Sequence, residues 1–155
     1  MIGRVDGPVV VGVSPRTGSP SALNWAADYA LQRAALVVAV MAWHPTRAPA
    51  APGGRPPSSL MSGDLPDPER DATVKLEGFV TAALGKKHGV ECRAVRGTAV
   101  SSLLQCGADA QLLVLGEPRP GRLASVRASL VAPQLVMRST CPVVVMPNAA
   151  SSIAT

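Results

Sequence analysis

Aromatic side chains are nearly missing from this chain: one Phe, one Tyr and two Trp among 155 residues. Its core must therefore be built from Ala, Val and Leu, and a hydrophobic content of 47% supplies them. Cysteine is scarce as well. Cys92, Cys106 and Cys141 share no CxxC spacing and have no neighbouring His, which argues against zinc ligation and against a disulfide framework. They read as small core or surface residues of a reduced compartment. Acids are outnumbered, ten against fifteen Lys and Arg, and the resulting charge of +5 permits an anionic partner. The basic residues are scattered, however, and the short cluster Lys86-Lys87-His88 reads as a solvated helix end rather than a nucleic-acid surface. Long apolar runs are absent too. The longest, Ala34–Trp43, has ten residues, half of the roughly 20 that a membrane helix needs. No charged start with an apolar segment marks an export signal. The expected location is the cytoplasm, with no membrane partner.

What the chain does contain alternates between two kinds of segment. A length near 150 residues suits one domain, because such a chain buries about two-thirds of its surface. Pro8–Val13 is a β-branched run of the kind that forms a strand covered on both faces. The turn 14–18 breaks it, and Ser19 is placed to cap a helix with Pro20 in its first position. Ala22, Leu23, Ala26, Ala30 and Ala34 share one stripe of that helix, and Trp25 and Tyr29, four apart, pair on an adjoining face. Leu36–Trp43 is a second strand. Residues 47–66, rich in Pro, Gly and Ser, read as a mobile loop insertion. Asp67–Lys87 is a helix with Ala72, Leu76, Phe79, Val80, Ala83 and Leu84 inward. Asp64, Asp67, Glu69 and Asp71 lack the EF-hand spacing and are interrupted by prolines, so they read as favouring its start rather than as a metal loop. Lys86, Lys87 and His88 complement its dipole at the other end. Val90–Arg96 alternates as an edge strand does, and Thr98–Cys106 is a short helix packed by Val100, Leu103 and Leu104. The tail 148–155 reads as disordered.

The most informative stretch runs from Ala110 to Pro147. Leu112–Leu115 is a short apolar run closed by Gly116; a Pro/Arg/Gly-rich turn follows, then Leu130, Val131, Leu135 and Val136 at helical spacing, then Cys141-Pro142-Val143-Val144-Val145-Met146. Strand, glycine turn, helix, strand is a βαβ unit. Such units build parallel sheets whose ligand sites lie beyond the carboxyl ends of the strands.

Five short motifs in register carry a family resemblance over nearly the whole chain. They are the opening V-V-V-G-V-S-P-R-T-G-S-P-S-A-L-N-W-A, Met41-Ala42-Trp43, Val95-Arg96-Gly97-Thr98-Ala99, V-L-G before the turn, and C-P-V-V-V after it. The chain resembles the universal stress protein family. The resemblance implies a single α/β domain over residues 1–147, Rossmann-like and similar to the adenine nucleotide alpha hydrolases, with five parallel strands in the order 3-2-1-4-5 and helices on both faces. It also implies a nucleotide crevice formed by Gly12, Val13, Ser14, the backbone at Ala42, Gly116, Arg119, Gly121, Arg122, Ser129, Leu130 and Val131. Nucleotide-binding members carry an acid after the first strand and G-x2-G-x9-G-[S/T] between the last two. Here those positions hold Ser14 and then Gly116, Arg119, Ser129 and Leu130, so only the first glycine remains.

A Cβ at Arg119 and Ser129 obstructs backbone approach to phosphate, and Leu130 removes a hydroxyl. Each lost charge-assisted bond costs about 1.5–3 kcal/mol. Two functional classes follow. The first is a binding or regulatory module of stress adaptation without ATP held in the family manner, hence with no cofactor. The alternative is an ATP binder, with slow hydrolysis, that uses Arg119, Arg122 and Arg127 as a substitute phosphate clamp. Ser14 and His44 do not read as a nucleophile and base, since no acid is placed to orient the imidazole and no G-x-S-x-G elbow exists. The expected catalytic set is empty. The last strand, Val143, Val144, Val145 and Met146, is expected to join two copies into a homodimer; partner proteins beyond that are not named by the sequence.

Overall fold

A computed structural model describes residues 6–45, 67–116 and 131–147. The expected loop insertion 47–66, the tail 148–155 and the turn residues 117–130 lie outside them. Nine elements follow in order: β1 (Val9–Gly12), α1 (Pro20–Arg33), β2 (Val37–Trp43), α2 (Pro68–Leu84), β3 (Glu91–Arg96), α3 (Ala99–Cys106), β4 (Leu112–Gly116), α4 (Val131–Arg138) and β5 (Val143–Met146). The strands form one parallel sheet in the order β3-β2-β1-β4-β5, as expected.

Period-two alternation divides the core into two layers. Val9, Val11, Ala39, Met41, Leu112 and Val114 join the buried residues of α1 and α2 on one face. Val10, Val38, Val40, Leu113 and Leu115 join Leu103 of α3 and Leu135 of α4 on the other. Both neighbours of β1 are in register with it, Gly12 facing Val40 and Leu115; β4 runs one residue further, to Gly116, and β2 three, to Trp43. The winding reverses between β1 and β4, which opens a crevice at that edge.

Several local expectations need correction. Ser19 holds the cap position of α1 with Pro20 behind it, but its side chain does not cap. Its backbone is left-handed (φ 46°), and its hydroxyl turns back to the β1–α1 turn. α2 stops at Leu84, where Gly85 leaves the helical region, so Lys86, Lys87 and His88 lie past the last turn. His88 Nδ1 instead accepts the Val90 N–H at 2.9 Å, fixing the entry to β3. Thr98 precedes α3 as its cap, its hydroxyl accepting from Ser101 N–H at 3.1 Å. In α4 only Leu135 is buried, and Val136 is 60% exposed. Val131 and Ala132 of the same helix pack against that core while only half-buried.

Other expectations hold. Asp67 caps α2 through Arg70 N–H, with Glu69 and Asp71 in the first turn. Trp25 and Tyr29 stack with centroids 5.1 Å apart, and Arg33 continues the series over the Tyr29 ring. All three cysteines are free, with Cys141 buried. Burial, then the charges of Glu77 and Glu91, push the Cys92 thiol above its ordinary range.

Candidate functional site: the crevice at the carboxyl edge of the sheet

The described wall of the crevice begins where β1 ends. Val13 is buried, and its N–H donates to the Val40 carbonyl at 2.8 Å, which carries the strand pairing one residue past Gly12. Ser14 then starts a tight turn. Its carbonyl accepts from Gly18 N–H at 2.8 Å and its hydroxyl from Arg16 N–H at 3.2 Å. Gly18 has φ +75° and lies against the Phe79 ring, where a side chain would collide. The turn is thus anchored on α2.

Ser19 closes the arrangement. Its Oγ accepts the Ser14 N–H at 3.0 Å, and its own N–H donates to Thr17 Oγ1 at 3.2 Å. The buried Ser19 also sits beside Gly116: a Cβ on Gly116 would stand 3.1 Å from Ser19 Oγ. Glycine at 116 therefore allows the end of β4 to approach the head of α1. Sequence reasoning gave Ser19 only a capping role; its place five residues after Ser14, across a turn with glycine at 18, was the available signal.

The opposite side of β1 is filled. A Cβ on Gly12 would meet Leu115 Cδ2 at 2.8 Å and Leu103 Cδ1 at 3.0 Å. Ala42 faces Val95 across the β2–β3 pair and is half-buried, and His44 is exposed just beyond β2. Val131 opens α4 and packs against the α3–α4 side of the core. The structure thus brings Gly12, Val13, Ser14 and Gly116 to one edge, with Ala42 a strand away. Arg119, Gly121, Arg122, Ser129 and Leu130 belong to the turn outside the described residues. The described side-chain hydrogen bonds of Ser14 and Ser19 are internal to the β1–α1 turn. Among the described residues no group of three or more His, Cys, Asp or Glu could hold a metal ion.

The two edges of the sheet differ in kind. β3 presents exposed Glu91, Arg93 and Arg96, with Arg93 Nε paired to Glu91 at 2.7 Å. β5 carries no charge; Val143, Val144 and Met146 are half-buried and Val145 is 39% exposed. The neighbouring α4 exposes Val136 and Met137. No described helix is long and apolar enough to cross a membrane.

Comparison with known proteins agrees with this geometry. The chain is 29% identical over 138 residues to Universal stress protein Rv2624c of Mycobacterium tuberculosis, an alignment covering 89% of this chain and 47% of that protein. It therefore spans about half the length of the curated relatives it matches. Among solved structures, a universal stress protein in complex with cAMP superposes with a TM-score of 0.57 at 19% identity, covering 91% of this chain and 98% of that one. A universal stress protein family member from Burkholderia pseudomallei gives 0.58 at 22% identity, with 94% and 99% covered. The model of the Universal stress protein family matches residues 7–147, and the chain belongs to that family.

Proposed function

We propose that this protein is a binding or regulatory module of stress adaptation that does not hold ATP in the family manner, and that it works as a homodimer. One observation carries the first part. Ser14 stands where nucleotide-binding members place an acid, and its hydroxyl and N–H are both engaged within its own turn. A neutral serine cannot supply the carboxylate acceptor, and exposing its N–H to a ligand would require breaking the bond to Ser19. Arg119, Ser129 and Leu130 weaken the phosphate side by their chemistry. A related protein was solved with cAMP, which makes adenine nucleotides the natural probes.

Equilibrium dialysis with labelled ATP and Mg²⁺ tests the reading, together with absorbance and mass of whatever the purified protein carries. Binding weaker than millimolar and no co-purified nucleotide are expected. A one-to-one micromolar site would overturn it in favour of an arginine clamp on the β4–α4 turn. Binding rather than catalysis is the proposed activity, since His44 is exposed beyond β2 and the Ser14 hydroxyl accepts from its own turn.

The proposed dimer rests on the asymmetry of the sheet edges. A row of unpaired backbone groups flanked by apolar side chains invites another strand, whereas charge on an edge deters it. β3 carries that charge and β5 does not. A two-fold axis would pair β5 antiparallel with its copy, an isologous contact.

A further inference from the structure

We propose that the head of α3 is a phosphate-binding subsite, separate from the β4–α4 turn that serves this purpose by family resemblance. The helix starts at the carboxyl edge of the sheet, where Gly97 N–H donates to the Trp43 carbonyl at 3.0 Å. Its first intrahelical bond is Ser102 N–H to the Thr98 carbonyl. Thr98 Oγ1 accepts the Ser101 N–H, which leaves the N–H groups of Ala99 and Val100 without a partner among the described residues. No acid lies in the first turn, and Arg96 stands exposed just before it. Aligned peptide dipoles and open N–H groups favour an oxyanion at such a place.

A helix start alone would not suffice; Ser102 supplies the second observation. This side chain is only 2% exposed, and its hydroxyl has no hydrogen-bond partner. Side chains on a helix tilt toward its start, so the Ser102 hydroxyl is aimed back at Gly97. It lies 3.7 Å from the position a Gly97 Cβ would occupy, and Ser101 Oγ lies 3.4 Å from the same point. Gly97 has φ +139°, a backbone that L side chains rarely adopt, so that position is kept empty. The result is a small hollow at the head of α3 that faces the unpaired Ser102 hydroxyl, beside two N–H groups without a described partner and an arginine. The Ser101 hydroxyl is held by Thr98, donating to its carbonyl at 3.2 Å and accepting from its Oγ1 at 2.8 Å. A buried hydroxyl left unpaired is unfavourable, and a phosphate oxygen in the hollow would satisfy it.

The test is titration of the isotope-labelled full chain by NMR, with inorganic phosphate, AMP and adenosine at constant ionic strength. Phosphate should shift the amides of Gly97, Ala99, Val100 and Ser102 saturably. Ser102→Ala, which removes one hydroxyl from a helix that tolerates alanine, should weaken that response about tenfold. AMP tighter than phosphate on the same amides would make a nucleotide the source of the group; equal affinities would make it free phosphate. Either supports the subsite. No saturable shift at these amides, shifts confined to Gly116 and its neighbours, an equal response from adenosine, or a Ser102→Ala protein that responds like the parent would each overturn it. The subsite does not depend on how the β4–α4 turn behaves, so tight ATP binding there would remove the proposed function and leave this inference standing.

Discussion

Ser19 illustrates how a single residue acquires a role through position rather than type. A serine before proline reads as a helix cap, yet its left-handed backbone sends the hydroxyl to Ser14 N–H instead. Ser19→Ala should strand that part-buried donor and destabilise the protein by about 1–3 kcal/mol, read from urea midpoints. Ser19→Gly should lose less, because glycine accepts φ 46° without strain. Equal losses would mean that the hydroxyl, not backbone strain, governs this position. Cys92 offers a second residue-scale test. Burial first, then Glu77 and Glu91, raise its pKa in the folded state above the unfolded value. The folded protein therefore keeps the thiol proton to higher pH than the unfolded chain does. This stabilising difference is intact below the ordinary thiol range and is lost as pH rises through and beyond it. Denaturation midpoints should fall less steeply between neutral and alkaline pH for Cys92→Ala than for the parent; parallel slopes would show that Cys92 does not contribute.

At the scale of elements, the helices differ in how their starts are secured. α2 and α3 each have a side-chain cap, Asp67 and Thr98, whereas α1 relies on Pro20 and on its packing. Asp67→Ala and Thr98→Ala should each cost about 0.5–2 kcal/mol. Thr98→Ala should also increase amide exchange at the head of α3 without affecting α2; uniform acceleration would point to global destabilisation instead. The short strands depend more on register than on length. Gly12 lies against Leu115 and Leu103, so Gly12→Ala overpacks the end of β1 and should cost about 1–3 kcal/mol by thermal unfolding.

For the molecule as a whole, the unequal sheet edges set the expectation for assembly. Val144→Lys places two like charges near the proposed two-fold axis, and light scattering should then report monomer or aggregate in place of dimer. A parent protein that stays monomeric across micromolar concentrations, or a dimer indifferent to this change, refutes pairing through β5. A combined Ser14→Asp, Arg119→Gly, Ser129→Gly and Leu130→Ser protein should bind ATP more tightly than the parent by calorimetry. An intact fold with no gain would mean that the turn positions are misassigned.

How much of this was legible in the chain depends on the range of the interactions involved. The β-branched runs at Val9 and Val143, the alanine stripe of α1, Asp67 before α2 and the Trp25–Tyr29 spacing are local patterns. They determined the element order and, through the handedness of βαβ units, a parallel sheet. The family motifs at Gly12, Gly97, Gly116 and Cys141 added the strand order, which the sheet pairing bears out. What the sequence could not determine were contacts between residues distant along the chain or turned by an unusual backbone angle. The approach of Ser19 to Gly116, the collision of a Gly18 side chain with Phe79, and the burial of Ser102 beside Gly97 arise only when helices settle on the sheet. Likewise, an apolar run such as Val143–Met146 reads the same whether covered or at an edge. Its half-exposed place, paired with β4 and with no other strand among the described residues, was decided by the tertiary fold.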